Sequence, residues 1–209
     1  FSHPGHFAHL TELVLDGAPL VDRDVLLFHR LPSLSALHLA NTAISDESVF
    51  HLVALRHTLA RLSLRNNTSI TDDACPALAL LTRLFSLDLA GTAIRMPGLR
   101  RLARAEQLVR ALALDAPAPC ETYLDTLHTR YLLAPAAPLI TSPRIVSVLS
   151  TAALRRNLAA HAAHNRALSA AVPARPGADV AARERLRALL EMRRADLGVR
   201  AMVWRKREE

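Results

Sequence analysis

The chain has 209 residues, of which 51% are hydrophobic, so it can bury a substantial core and is not a disordered protein as a whole. Aromatic residues make up only 4%, which favours thin repeated layers of Leu, Ala and Val over an irregular core. The net charge of +7 is uneven, since residues 1–140 carry 12 Arg against 13 acids, whereas residues 141–209 carry 13 Arg and one Lys against 6 acids. The basic character belongs to the C-terminal part, which argues against a repeat array that wraps nucleic acid.

The cysteine count and the lack of long apolar runs bear on the compartment. Cys75 and Cys120 are too few for a disulfide framework and have no metal-ligand spacing, which indicates an intracellular protein, nuclear or cytoplasmic. No apolar run approaches the ~18 residues that cross a bilayer, so we expect no membrane span. No signal segment opens the chain. Because the chain begins at Phe1 rather than Met, we expect a further segment upstream.

A Leu-x-Leu tripeptide recurs along the first half of the chain, in steps of 24, 25, 25 and 25 residues. It begins at Leu13, Leu37, Leu62, Leu87 and Leu112. This period is typical of a stacked-repeat protein. Leucines two apart place both side chains on one strand face, and the residue between them faces the other way. A turn with an aliphatic residue and then a helical stretch follow most of the tripeptides, so we predict five adjacent parallel strands with helices between them.

In three units an Asp lies two residues after the aliphatic residue of the turn, at Asp22, Asp46 and Asp72. We expect each Asp to cap the helix that follows it, by accepting hydrogen bonds from N–H groups of the first helical turn. In the fourth unit this position is Met96, and Pro97 follows, which suits the start of a helix. These acids are therefore interpreted as structural and not catalytic.

These units resemble the leucine-rich repeat family over about residues 10–117. The segments Ile44-Ser45-Asp46 and Ile70-Thr71-Asp72 are most like the cysteine-containing type found in F-box ubiquitin-ligase receptors, although only Cys75 lies near them. The resemblance implies an α/β fold, a right-handed solenoid with parallel strands on its concave face and helices on its convex face. It also implies binding to a protein partner far more often than catalysis.

The outward strand positions supply the candidate partner-binding residues. Most outward positions hold small residues, Ser86 among them, which let another backbone approach closely, and the charged ones, which include Asp115, alternate from acidic to basic to acidic. The candidates on this concave face are Glu12, Asp16, His38, Asn41, Arg61, Arg65, Asn66 and Asp88. The alternative interpretation is that Arg61 and Arg65 pair with neighbouring acids on a solvated face. The third unit has an additional turn residue within 66–69, which makes this turn either a contact loop or an ordinary loop.

The domain boundaries follow from the prolines and the helical spacing. Tyr123, Leu124, Leu127 and Tyr131 lie at helical spacing, so a cap helix of about 120–133 should end a repeat arc of residues 1–133. A Pro/Ala linker covers 134–141, and a basic helical extension covers 142–209. Within it we predict helices of about 143–171 and 178–196, the second ended by Gly198. They could pair with each other, fold back on the repeats, or stay partly open until a partner binds.

The basic extension also offers candidate partner or phosphate contacts. These are Arg183, Arg187, Arg194, Trp204, Arg205, Lys206 and Arg207. Trp204 next to three basic residues suits either a peptide anchor or a stacking contact to a nucleic acid. Interleaved aromatic residues are otherwise absent, so nucleic acid is the lesser alternative.

No catalytic pattern stands out in the sequence. His3, His6 and His9, and likewise His161 and His164, are three residues apart but have no Cys or acidic partner at ligand spacing, so we expect no metal site. The six glycines form no phosphate-binding pattern, so we expect no nucleotide cofactor. A small-molecule substrate and an enzyme activity are therefore not expected.

The leading hypothesis is a non-catalytic protein-interaction module or scaffold subunit of an intracellular complex. A sharper version makes it the substrate-recognition part of a ubiquitin ligase. The alternative is a nucleic-acid or chromatin-associated factor that uses the basic C-terminal helices, and its binding should weaken steeply with salt.

Overall fold

The structure is a computed structural model that describes residues 7–164 and 178–208. They form an α/β fold with one parallel sheet of five three-residue strands, in the order β1-β2-β3-β4-β5. The strands are β1 Glu12–Val14, β2 Ala36–His38, β3 Arg61–Ser63, β4 Ser86–Asp88 and β5 Ala113–Asp115. The prediction of five adjacent strands that run in one direction is confirmed.

The register of the sheet aligns one leucine from each strand. Each pairs with the leucine of the neighbouring strand, in the order Leu13, Leu37, Leu62, Leu87 and Leu114. The last partner was expected to be Leu112, so the fifth strand begins two residues later than predicted. A short helix, Glu106–Ala111, lies immediately before this strand and accounts for the added residues. Because side chains on a strand alternate with a period of two, Leu114 still faces inward and Asp115 still faces outward.

Each of the first four strands leaves the sheet through a residue with positive φ. These residues are Gly17, Asn41, Asn66 and Gly91, with φ of 71°, 55°, 59° and 74°. They occupy the same place in each unit, two residues after the second leucine. Gly adopts this left-handed conformation without strain, and Asn tolerates it better than most residues. The residue type at this position therefore produces the same turn in each unit.

Helical segments connect consecutive strands. Between β1 and β2 lies a 3₁₀ helix, Asp22–Arg30, and after β2 come α1 Asp46–Leu52 and a 3₁₀ turn, Val53–Leu55. After β3 come a 3₁₀ turn, Asp72–Ala74, and α2 Cys75–Leu78; after β4 come α3 Met96–Leu102 and α4 Glu106–Ala111. Between sheet and helices lies a layer of fully buried aliphatic side chains, including Leu37, Leu39, Leu64, Leu89, Val49, Leu52, Leu78 and Leu99. Burying each such side chain contributes about 1.5–3 kcal/mol.

The three repeated aspartates link neighbouring units instead of capping their own helices. Asp22 accepts hydrogen bonds from the Ser45 backbone N–H at 2.8 Å and from its hydroxyl at 2.7 Å. Asp46 accepts the same two bonds from Thr71, both at 2.7 Å, and Asp72 accepts one from the Arg95 N–H at 2.7 Å. The helix N-caps are the preceding residues, Ser45 and Thr71. The predicted capping role of these acids is therefore wrong, because each carboxylate points to the next unit along the chain.

The chain divides into two compact units, one of Phe1–Glu121 with Gly198–Glu209 and one of Thr122–Leu197. Where a cap helix of 120–133 was predicted, α5 covers Ala118–Asp125 and a 3₁₀ turn covers Leu127–Thr129. Where one helix of 143–171 was predicted, a 3₁₀ helix covers Pro143–Val148 and α6 covers Thr151–Ala162, with Ser150 as its N-cap. Residues 165–171 of that prediction lie outside the described residues. The predicted division into a repeat arc of 1–133, a linker of 134–141 and an extension of 142–209 stays a prediction.

The last helix, α7, covers Ala178–Glu208 and continues through Gly198, so the predicted end at this glycine is wrong. Gly198 is buried, and a Cβ added to it would lie 3.3 Å from the Ala103 side chain and 3.5 Å from Val109. The glycine therefore permits close approach to the α3–α4 segment, which offsets its cost of about 1 kcal/mol in a helix. Val199, Met202 and Val203 in the same part of α7 are buried.

The second compact unit, Thr122–Leu197, has a buried polar network. The Tyr123 and Tyr131 hydroxyls donate to the fully buried Asp196 carboxylate at 2.9 and 2.8 Å. Arg193 donates to the carbonyls of Leu132 and Leu133. These bonds satisfy charged groups that would otherwise be costly to bury.

Candidate functional site

The candidate site is the face of the sheet opposite the buried leucines, which we call the open face. The register gives its residues in rows across the strands. One row is Glu12, Ala36, Arg61, Ser86 and Ala113, and the next is Val14, His38, Ser63, Asp88 and Asp115. Asp16, Ala40, Arg65 and Ala90 continue the alternation one step further along the chain. Six of the eight predicted concave residues lie on this face, and Asn41 and Asn66 lie in the turns beside it.

The open face carries three zones of charge. Acidic side chains lie on β1 and beyond it at Glu12 and Asp16, basic ones on β2 and β3 and just beyond, and acidic ones on β4 and β5 at Asp88 and Asp115. The basic zone consists of His38, Arg61 and Arg65. The predicted alternation from acidic to basic to acidic thus holds across the sheet, with Asp115 extending the second acidic zone.

Two ion pairs connect the zones. His38 Nε2 lies 3.3 Å from Glu12 Oε1, and an Arg65 guanidinium nitrogen lies 3.6 Å from Asp88 Oδ2. The His38 contact is ionic only when the imidazole is protonated, and its geometry does not make a hydrogen bond. The Arg65 side chain is 55% exposed. Exposed pairs of this kind contribute about 0–1 kcal/mol, so a partner could exchange them for its own contacts at little cost.

Two of the acids also hold the backbone. Asp16 Oδ1 accepts a hydrogen bond from the Ala40 N–H at 2.7 Å, and Asp88 Oδ1 accepts one from the Ala90 N–H at 2.9 Å. Each carboxylate therefore has one oxygen engaged in the fold. The remaining oxygen of Asp88 faces Arg65.

Arg61 differs from the other charged residues of the open face. It is exposed, and its guanidinium makes no hydrogen bond or ion pair within residues 7–164 and 178–208. Ser86 lies directly beside it on β4, and Ser63 lies two residues along β3 on the same face. Neither serine hydroxyl has a hydrogen-bond partner among the described residues. As far as residues 7–164 and 178–208 show, the centre of the open face therefore holds one unpaired cation next to two unused hydroxyl donors.

Asp115 lies beside Asp88 in the register. Burial raises the pKa of the Asp115 carboxyl, the Asp88 charge raises it further, and Lys206 and Arg65 act in the opposite direction. The net shift is upward, so a cation brought to this end of the face would stabilise the ionised form. Sequence reasoning placed Asp115 and Ser86 outward, but only the register shows that they adjoin Asp88 and Arg61.

The turn after β3 has a buried residue, Asn67, between exposed neighbours. Asn67 is fully buried, and its side-chain amide donates to the Leu39 carbonyl at 2.7 Å and to the Leu64 carbonyl at 3.0 Å. Its Oδ1 accepts from the Thr42 N–H at 3.0 Å. Asn67 therefore joins the turns of two units, while Asn41 and Asn66 are exposed residues in the left-handed conformation.

The candidate contacts of the extension are divided between the two compact units, with Arg183, Arg187 and Arg194 in one and Trp204, Arg205, Lys206 and Arg207 in the other. Arg183 donates to the carbonyls of Val146, Ser147 and Leu149 at 2.8, 3.1 and 2.8 Å. Arg205 donates to the carbonyls of Leu112 and Val109 at 2.6 and 3.1 Å. Both guanidinium groups therefore hold the chain's own backbone.

The other extension candidates lie at the surface or at its margin. Arg187 and Arg194 are exposed, Lys206 is half-buried, and Arg207 lies 3.4 Å from Glu121. Trp204 is 39% exposed, and the Arg200 guanidinium carbon lies 3.6 Å from its ring centroid. One face of the only tryptophan is thus already covered by a cation.

The described residues show few features of a catalytic or metal centre. Burial raises the pKa of Cys75 to about 12 and that of Cys120 to about 11, so neither thiol is an activated nucleophile. Within residues 7–164 and 178–208, His, Cys, Asp and Glu form no group of three or more that could hold a metal ion. In the same ranges no helix combines the length and apolarity required to cross a membrane.

Comparison with known proteins assigns no family to this chain. No protein-family model matches it, and no curated protein matches it at a significant level.

Proposed function

We propose that this chain is a leucine-rich repeat protein whose open face binds another protein. Support comes from the parallel sheet in chain order, the repeated left-handed turn, the aliphatic layer between sheet and helices, and the hydrogen bonds that link successive units. In this proposal the units stack as a right-handed arc, with the open face on its concave side and the helices on its convex side. Repeat arcs of this kind use such a face for macromolecular recognition.

The observation that carries the proposal is the composition of the open face. The open face combines separate zones of charge with small residues, of which Ala36 and Ala113 are fully buried and Ser63 and Ser86 are half-buried. Beside its two weak ion pairs, Arg61 is exposed and has no partner among the described residues. Arginine is enriched among the residues that anchor protein–protein interfaces. A role in recognising substrates of a ubiquitin ligase is the sharper form of the same proposal.

We do not extend the proposal to nucleic acid. Arg183 and Arg205, two of the predicted phosphate contacts, would first have to give up five hydrogen bonds to backbone carbonyls. The loss of bonds from a charged donor costs about 1.5–3 kcal/mol each.

The test is an affinity capture from lysate with three forms of the chain. They are the unaltered chain, Arg61→Glu with Arg65→Glu, and a control with Arg56→Glu and Arg83→Glu, two exposed arginines outside the strands. We expect proteins captured by the unaltered chain to persist with the control and to be lost with the open-face variant. Survival of every specific partner with the open-face variant would refute the proposal. Equal thermal unfolding of the three forms verifies that each is folded.

A further inference from the structure

The class of partner segment can be inferred from the arrangement of charge on the open face, and this inference rests on the proposed function. The open face carries four acids, Glu12, Asp16, Asp88 and Asp115, against two arginines, of which Arg65 pairs with Asp88. Within the described residues Arg61 has no such partner. A group that binds at the centre of the face therefore meets an uncompensated positive charge.

The groups around Arg61 add hydrogen-bond donors. Ser86 is its direct neighbour across the strands, Ser63 follows on the same strand, and His38 lies beside Ser63 on β2. Within the described residues both serine hydroxyls are unused, whereas His38 Nε2 is buried against Glu12 and is not one of these donors. A guanidinium with nearby hydroxyls matches an anionic oxygen pair, since Arg binds a carboxylate through two parallel hydrogen bonds.

The flanking zones limit what this anion can belong to. Glu12 and Asp16 lie on one side of the basic centre, and Asp88 and Asp115 lie on the other. A nucleic-acid strand carries a negative charge on every nucleotide and would place phosphates against both acidic zones. A single carboxylate flanked by cations would instead match all three zones.

The spacing of the zones gives a sequence pattern. Neighbouring strands lie about 4.8 Å apart, so β1 and β5 each lie about 10 Å from β3. An extended segment that crosses the strands advances about 3.3 Å per residue, and it therefore needs about three residues to pass from one zone to the next. We propose that the open face binds an extended protein segment with an Asp or Glu on Arg61 and a Lys or Arg about three residues to each side.

The test selects binders from a random dodecapeptide library with the intact chain and measures each selected peptide by fluorescence anisotropy. We expect enrichment of an acidic residue between basic ones, and a loss of affinity of at least about tenfold with Arg61→Glu, which corresponds to about 1.4 kcal/mol. The Arg83→Glu control should bind as the unaltered chain does. Selection with Arg61→Glu should shift the central preference from Asp or Glu to Lys or Arg.

The outcomes that contradict this inference can be distinguished from those that contradict the proposed function. If selected peptides lack the central acid, or bind Arg61→Glu equally well, the inference is wrong. The proposed function would still stand if Ser63→Trp, which fills the middle of the open face, abolishes their binding. If no peptide is enriched, an extended segment is not the ligand and the inference is overturned, and the capture experiment then decides the proposed function by itself.

Discussion

The buried Asn67 provides the sharpest test of how successive sequence repeats hold together. Its side chain is fully buried, and its amide bonds to carbonyls of both its own unit and the preceding one. In Asn67→Ala, the Thr42 N–H loses its acceptor, the Leu64 carbonyl loses this side-chain donor, and both groups stay buried. The Leu39 carbonyl keeps one bond, from the Thr42 hydroxyl at 2.9 Å.

The magnitude follows from the number of groups left without a partner. A buried polar group that loses its partner costs about 1–3 kcal/mol, so two such groups predict a loss of about 2–6 kcal/mol of unfolding free energy. Asn67→Asp keeps the size but removes the amide donor, and it places carboxylate oxygens against two carbonyls. We expect it to be at least as destabilising as Asn67→Ala.

Urea unfolding, monitored by circular dichroism and by Trp204 fluorescence, measures these changes in unfolding free energy. The variants can be compared when their m-values are equal. Thr68→Ala, at the exposed neighbouring position, is the control and should change stability by less than about 0.5 kcal/mol. A loss below about 1 kcal/mol for Asn67→Ala would show that its hydrogen bonds do not join the units.

Three further predictions concern the two buried cysteines, the buried His161 and the hydrogen bonds of Arg205. Cys75 and Cys120 should react with a thiol reagent at pH 8 only after unfolding, because burial raises their pKa to about 12 and about 11; reaction in the folded chain at the rate of free cysteine would contradict this. Burial, and then the Arg193 charge, lower the pKa of His161 below its ordinary 6.5, so the folded state resists protonation. Stability should therefore be complete above pH 6.5 and fall as the pH drops below it, and His161→Phe should reduce this slope in unfolding experiments between pH 7 and 5. Arg205→Ala should cost about 3–6 kcal/mol in thermal unfolding, because it loses two bonds to carbonyls at the end of α4, whereas Arg207→Ala, whose ion pair with Glu121 lies at the surface, should cost less; equal losses would refute this assignment.

The strands and the identity of the open face were predictable because they depend on local alternation. Leucines two apart assign one face to the core, and Gly or Asn after them predicts the turn. The fifth strand was misplaced by two residues, since nothing in the spacing of Leu87 and Leu112 reveals that α4 lies between them. A repeat period predicts register only while the connections keep the same length.

The contacts between neighbouring sequence repeats could not be predicted in the same way. Asp46 follows an aliphatic residue at a helix start, which is the local pattern of a cap, but its partner Thr71 lies 25 residues away. The glycine at 198 reads locally as a helix end, yet it permits close packing against Ala103. Similarly, Arg61 and Arg65 are equivalent by sequence pattern, and only the side-chain geometry shows that Arg65 is paired while Arg61 has no partner in the described part of the chain.

Site-specific crosslinking tests the central proposal most directly. A photo-crosslinking residue at position 63 lies at the centre of the open face, and one at the exposed position 50 lies on α1. We expect the protein captured by the intact chain to crosslink from position 63 and not from position 50. Crosslinks from position 50 alone would show that the helices, and not the sheet, contact the partner.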